Sequence, residues 1–212
     1  MKKLFIDLFC GSSSFKKEAE AAGFEYFGVD CEKYDNVNLV IDIEKLSIHD
    51  LPNIDNYDRV HIHGSPDCRT YSIAAISTHR DNGKPKTEYA QKCDSVNTHF
   101  IWLINQLNPM SKVTYSIENP RGYMRKMDFV SGLPRHTVWY CQYGDDRAKP
   151  TDIWTNLNWT PRPVCHNGNT NCHHAPAPRG SKTGTQGRKG SYERSKIPNE
   201  LCKELIQSIC QN

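Results

Sequence analysis

The chain has 212 residues, 37% of them hydrophobic and 24% charged, and a formal net charge of +3 at pH 7. That is enough for one domain with a sizeable core, and the apolar content excludes a disordered chain. No apolar run reaches membrane-spanning length. The nine cysteines, odd in number and scattered, do not form a disulfide framework and point to a reducing, cytoplasmic compartment.

The N-terminal MKKLFIDLFCG places two lysines before an apolar run, as a signal peptide would. Asp7 interrupts that run and no small-residue cleavage site follows. LFIDLF is therefore expected to be a buried strand, CGSSS a turn and SFKKEAEAAG a short helix closed by Gly23. FEYFGVD, NLVIDI and RVHIHGS read as the second, third and fourth strands, with His61 and His63 as strand residues rather than ligands. A long polar stretch follows, to about Lys86. From Thr87 to Leu107, Tyr89, Cys93, Val96, Phe100, Leu103 and Leu107 recur at helical spacing and predict an amphipathic helix. VTYSIEN, HTVWYCQYG and TDIWTN read as strands five to seven, and a last helix begins near Pro198. Strands alternating with helices predict an α/β fold, a mostly parallel sheet flanked by helices.

The segment 157–195 has a different composition. It sets Arg162, Arg179, Lys182, Arg188, Lys189 and Arg194 against the single acid Glu193, with five glycines and four prolines. It cannot bury a core of its own and reads as a small basic, loop-rich appendage; the plainer reading is a disordered insert. The expected organisation is a catalytic, cofactor-binding domain over 1–156, completed by a C-terminal helix over 196–212, with 157–195 as a target-recognition segment.

Four stretches carry chemistry. DLFCGSSSF joins a strand to a helix through small residues, which suits close approach of a nucleotide-like cofactor to the backbone. Asp30 and Asp42 end the next two strands, where acids commonly hold ribose hydroxyls or an adenine amine, or else cap local turns. GSPDCRTYS presents Cys68 on a small-residue loop after the fourth strand, as a packed small hydrophobe or as a nucleophile. Glu118 ends the fifth strand in IENP, at the same sheet rim, and Arg147 and Lys149 follow the sixth in QYGDDRAKP. A thiol and a carboxylate across one cleft can attack and protonate a heterocycle.

In this order the stretches resemble the DNA cytosine-C5 methyltransferases, as a small, phage- or bacterial-type member with a reduced target-recognition region. The similarity covers about residues 3–155 and returns at 196–212. DLFCGSSSF is similar to the family's DLFxGxGG cofactor turn, GSPDCRTYS to its GGPPCQxFS nucleophile loop, and IENP to its ENV or ENP strand end. QYGDDRAKP resembles a shortened QxRxR region with lysine for the second arginine, and SKIPNELCKEL the closing motif with Asn199. The resemblance implies a Rossmann-like S-adenosylmethionine-dependent methyltransferase and DNA cytosine methylation of the restriction-modification kind. It implies Cys68 as nucleophile at cytosine C6, Glu118 at N3 and the exocyclic amine, and Arg147 at O2. Asp7, Phe9, Gly11, Ser12, Ser13, Asp30, Asp42, Ile43, Ser65 and Asn199 would hold S-adenosylmethionine. Arg69, Arg121, Lys149, Arg179, Lys182, Arg188 and Lys189 would contact DNA, with the target base flipped out or single-stranded; Lys112, Arg125 and Lys126 are further candidates for phosphates. The protein is expected to be a monomer without a membrane partner. An RNA cytosine-C5 methyltransferase of the transfer-RNA type and a non-catalytic nucleic-acid-binding protein keeping the fold are the rival readings.

The sequence departs from the family pattern at telling places. Ser13 and Ser14 stand where glycines are usual, and a serine at positive φ costs roughly 1 kcal/mol. Asp67 replaces the proline before Cys68; a carboxylate there opposes thiolate formation unless it points away or is paired, with Arg69 as one partner. VCHNGNTNCHH offers Cys165, Cys172 and His173 as zinc ligands, although the cysteine spacing exceeds the usual two to four residues; alternatively the cysteines pack and the histidines face solvent.

Overall fold

The computed structural model describes residues 1–177 and 190–211. Among them, seven strands form one sheet: β1 (Lys3–Leu8), β2 (Phe24–Asp30), β3 (Leu39–Val40), β4 (Arg59–Gly64), β7 (Val113–Pro120), β8 (Arg135–Trp139) and β9 (Pro150–Thr155). Their spatial order is β3-β2-β1-β4-β7-β9-β8, and β5 (Arg80–Asp81) and β6 (Lys84–Pro85) make a separate two-stranded hairpin. The helices are α1 (Lys16–Ala21), α2 (Ile76–His79), α3 (Glu88–Leu107), α4 (Ser191–Ser195) and α5 (Asn199–Gln211). None is long and apolar enough to cross a membrane.

The expected mostly parallel sheet is observed. β3, β2, β1, β4 and β7 pair in parallel, while β9 runs antiparallel to both β7 and β8. That reversal positions the site. Ligands in open α/β sheets bind outside the carboxyl ends of the strands, and β9 enters the sheet at that rim, with Thr151 opposite Pro120 and Pro150 opposite Trp139. The run 140–149 therefore reaches the same edge as Glu118 and the loop after Gly64.

Alternation along each strand divides the core between the two faces. Leu4, Ile6 and Leu8 join Val60, Ile62, Tyr115 and Ile117 beneath Phe100, Leu103, Ile104 and Leu107 of α3. Phe5 joins Ala19 of α1 and Leu201, Leu205, Ile206 and Ile209 of α5 on the other face. Each Val, Leu, Ile or Phe among them contributes about 1.5–3 kcal/mol by burial. Thr87 caps α3 by accepting from Ala90 N at 3.2 Å, as a side-chain N-cap does. Gly64 permits α3 to lie close to the sheet: a Cβ there would come within 2.2 Å of the Phe100 ring.

Three expected elements are shorter than read from sequence. NLVIDI pairs only at Leu39–Val40, because the Asp42 side chain accepts from Glu44 N and turns the chain into a 3₁₀ turn over Ile43–Lys45. HTVWYCQYG is a strand only to Trp139. Tyr140, Cys141 and Tyr143 are buried in a 3₁₀ turn closed by Gly144 at φ +83°. The first helix covers only Lys16–Ala21, though Gly23 ends it as expected at φ +79°. After β9 the chain to Ala177 has neither helix nor strand, and only Leu157, Trp159, Cys165 and His174 in that stretch are buried.

Candidate active site

The turn after β1 bends sharply. Phe9, Gly11 and Ser13 all have positive φ, at +59°, +39° and +50°. Ser13 thus adopts the left-handed conformation that the family pattern gives to glycine, at the cost expected for a serine. Asp30 at the end of β2 braces the turn: its Oδ2 accepts from Gly11 N at 3.0 Å and its Oδ1 from Glu32 N at 3.0 Å. Each carboxylate oxygen keeps a lone pair for a further donor. A cleft of about 100 Å³ opens over the turn, lined by Asp7, Phe9, Gly11, Ser12, His63 and Ser65, and closed from the C-terminal side by Ser195 and Ile197. Ile197 N donates to Ser14 Oγ at 3.1 Å, which ties that segment to the turn. Burial pushes the Asp7 carboxyl up to about 7 against the hydrogen bond it accepts from Tyr26 at 2.6 Å, and the Asp30 charge adds to the rise.

Asp42 and Ile43 lie beyond β3. Ile43 is buried, and the Asp42 carboxylate both caps its 3₁₀ turn and pairs with Lys92 at 2.8 Å. Asn199 does not line the cleft over the turn. It opens α5 and lines a separate cleft of about 580 Å³ with Gly144, Asp145 and Asp146.

Cys68 is half-buried on the loop after β4. Burial raises its thiol pKa, Lys149 lowers it, and Glu118 and Asp67 raise it. Glu118 is buried at the end of β7, with Oε1 accepting from Tyr140 OH at 2.7 Å and lying 3.8 Å from Lys149 Nζ. Lys149 Nζ sits 4.6 Å from the Tyr140 ring centroid. Burial and the Glu118 carboxylate push the Tyr140 phenol well above its ordinary value, so it remains a donor.

The cation that lies against Glu118, and whose charge acts on the Cys68 thiol, is Lys149. Arg147 is fully buried and clamped by Asp145, with Nε and Nη2 donating at 2.8 and 2.5 Å; its Nη1 has no hydrogen-bond partner among the described residues.

Asp67 is turned aside and paired. It accepts from Arg69 N at 2.9 Å, from the Arg69 guanidinium and from Tyr89 OH. Burial opposes its ionisation, but these donors hold its carboxyl below the ordinary value. Arg69 itself is exposed, 5.0 Å from the Tyr89 ring.

An anchor that sequence reading missed fixes this loop to α3. The Arg80 guanidinium, wholly buried, donates to Thr70 O at 2.9 Å and makes a two-pronged pair with Asp94 at 2.6 and 3.0 Å. Tyr71 OH also donates to Asp94, at 2.6 Å, and Arg80 stacks 4.4 Å from the Tyr71 ring. Asn119 Nδ2 donates to Pro66 O at 3.0 Å, joining the loop to β7 beside Glu118.

Of the cations expected to meet nucleic acid, Arg121 is exposed at the rim, 5.7 Å from the Trp139 ring. Arg125 is paired with Asp152 at 2.9 Å, and Lys126 is exposed. Lys112 lies at the opposite edge, just before β7, donating to Ile54 O. Arg179, Lys182, Arg188 and Lys189 lie outside the described residues. The expected metal set is rearranged. Cys165 and Cys172 converge, but His173 turns away and its Nε2 bonds Asp145 O at 3.0 Å; His174 and Cys141 complete the group.

No protein-family profile and no curated protein sequence matches this chain. Solved structures do. One is an E. coli structure provisionally described as a DNA modification methyltransferase encoded within a prophage, with TM-score 0.51 and 17% identity; the match covers 79% of this chain and 53% of that one. Another is the Entamoeba histolytica methyltransferase EhMeth, with TM-score 0.52 and 12% identity, covering 79% of this chain and 57% of that one. The chain thus spans little more than half the length of the structures it resembles. With the mostly parallel seven-stranded sheet, these likenesses show a Rossmann-like α/β fold shared with those methyltransferase structures.

Proposed function

We propose that this protein transfers a methyl group from S-adenosylmethionine to carbon 5 of cytosine in DNA, through a covalent bond between Cys68 and carbon 6. One observation carries the reading: at the strand-end rim the loop of the half-buried Cys68 is tied through Pro66 O to Asn119, next to the buried Glu118, which lies 3.8 Å from the Lys149 ammonium. Ser65, which lines the cleft over the small-residue turn, stands three residues before Cys68.

The cleft residues Asp7, Phe9, Gly11, Ser12 and Ser65, with Ser13 in the same turn, would hold the cofactor. The free lone pairs of Asp30 suit ribose hydroxyls, and Asp42 with Ile43 suits the adenine. When bound, S-adenosylmethionine supplies an electrophilic methyl group.

Carbon 5 of cytosine is not nucleophilic. The Cys68 thiolate adds to carbon 6, breaking the ring's aromaticity and making carbon 5 enamine-like. Glu118, oriented by Tyr140, holds N3 and the exocyclic amine and stabilises the charge that develops there. Lys149 favours the thiolate and, as the cation nearest both groups, donates to O2; Arg147 braces the run before it through Asp145. Once carbon 5 carries the methyl group, its proton passes to solvent, the C–H electron pair re-forms the carbon 5–carbon 6 double bond, and Cys68 leaves as the thiolate. The target base must be flipped out or single-stranded to reach these side chains. Exposed Arg69 and Arg121 at the rim suit phosphates, and the composition of the run containing Arg179, Lys182, Arg188 and Lys189 suits a phosphate backbone.

The test is methyl transfer itself. Duplex DNA, single-stranded DNA and transfer RNA are incubated with the protein and methyl-labelled S-adenosylmethionine, then digested to nucleosides for mass spectrometry. Labelled 5-methyldeoxycytidine is expected from DNA; label absent from DNA, or found only in RNA, contradicts the assignment.

A further inference from the structure

We infer that Cys141, Cys165, Cys172 and His174 form a closed structural zinc site that clamps the chain after β9 onto the turn after β8. The ligand atoms of these four side chains all lie within 4.8 Å of one another. Three of the four residues are buried and Cys172 is half-buried. Tetrahedral zinc, at its ordinary bond lengths to sulfur and imidazole nitrogen, holds its ligand atoms about 3.5–3.8 Å apart, so small side-chain rotations close the shell.

Three features separate this group from cysteines that merely pack. First, His174 brings a buried ring nitrogen, Nε2, with no hydrogen-bond partner among the described residues, while its Nδ1 lies 4.0 Å from Cys165 Sγ. A buried imidazole normally satisfies both nitrogens, and a metal is the partner that three adjacent sulfurs would share with it.

Second, the sulfurs are surrounded by amide donors. Asn169 Nδ2 donates to Cys165 Sγ at 3.4 Å, and Gln142 Nε2 lies 3.7 Å from Cys172 Sγ and 3.9 Å from Cys141 Sγ. Donors of this kind support metal-bound thiolates. Third, the chain from Asn156 to Ala177 has no helix or strand and little apolar burial, so beyond the polar ties of Arg162 to Gln142 O, Glu200 and Glu204 a metal is what would fix its path. Four protein ligands leave no open position, which makes the site structural rather than catalytic.

The clamp has a local consequence. His173 Nε2 bonds Asp145 O at 3.0 Å and Ala175 N donates to Asp146 O at 3.1 Å. The residues flanking His174 thus hold the backbone just before Arg147 and Lys149.

Metal analysis of the purified chain tests the site without reference to methyl transfer. About one zinc per chain is expected, lost in Cys165→Ser and in His174→Ala and kept in His173→Ala. Cobalt substituted into the wild-type protein should give a thiolate charge-transfer band and the intense visible bands of tetrahedral coordination, which needs no variant to fold. Zinc-free wild type that also gives no such cobalt spectrum overturns the inference, as does zinc retained at full stoichiometry in the Cys165→Ser, His174→Ala double variant.

Discussion

At Cys68 two opposing influences meet: burial raises the thiol pKa, and the neighbouring Lys149 charge lowers it. The thiolate is the nucleophile, so alkylation of Cys68 should accelerate as pH rises past neutrality. Lys149→Gln removes the lowering influence and moves that rise to higher pH. Iodoacetamide labelling followed at the Cys68 peptide by mass spectrometry should be several-fold slower in the variant at pH 8; an unchanged pH profile would show that Lys149 does not act on the thiol. The thiol, Glu118 and the small-residue turn were legible from sequence, because each is a short motif at a strand end. That Lys149 rather than Arg147 lies against Glu118 was not. It depends on Asp145, two residues earlier, which closes on the Arg147 guanidinium and buries it. The ligand role of His174 was equally hidden. Adjacent histidines differ only in which way the chain turns, and Cys141 comes from a turn that the sequence pattern reads as strand.

The stretch from Asp67 to about Lys86 reads in sequence as polar and, past GSPDCRTYS, without a motif, yet it is pinned by one buried ion pair. Arg80 reaches Thr70, Gly83 and Asp94, and so fastens the nucleophile loop and the β5–β6 hairpin to α3. No periodicity announces such an anchor, since its partners are brought together only by the fold. Breaking a buried pair costs about 3–5 kcal/mol, and Asp94 is partly exposed, which places Arg80→Ala at about 3 kcal/mol. Arg80→Lys should recover little, because one ammonium cannot span the same acceptors. Urea unfolding of the two variants measures both effects; a loss below about 0.5 kcal/mol in Arg80→Ala would mean the loop is held by other contacts. The helix under the loop was legible to within a residue, since its Thr cap and apolar spacing are local signals. The antiparallel entry of β9 was not, because strand direction is set by long-range pairing.

Across the whole molecule, burial of ionisable groups sets the response to acid. Burial lowers His63 from 6.5 to about 3, and burial with the neighbouring His63 holds His61 well below 6.5. Both stay neutral in the fold, His61 bonded to Thr114 and Ser116 of β7 and His63 to Ser116. Asp7 moves the other way, from 3.8 to about 7. Between roughly pH 4 and 6.5 the unfolded chain therefore binds two protons that the folded one does not, and the folded chain holds one at Asp7 that the unfolded one has lost. The net is one proton in favour of unfolding, so stability falls as pH falls, by about 1.4 kcal/mol per pH unit. His61→Gln removes one of the two histidine protons and should flatten that slope by one proton. Urea unfolding at several pH values decides it, and parallel slopes in the variant and the wild type would be the contrary result.

The thiol, carboxylate and ammonium at one rim acquire their meaning only if Cys68 bonds to cytosine. The most direct measurement uses DNA carrying 5-fluorocytosine, in which fluorine occupies the place of the carbon-5 proton and blocks release of the enzyme. With S-adenosylmethionine present, intact-mass analysis should find the wild-type chain joined to the oligonucleotide, with the link mapped to Cys68, and Cys68→Ser should give no such species. Wild-type protein that methylates cytosine without forming the adduct, or a serine variant that still forms it, would contradict the account.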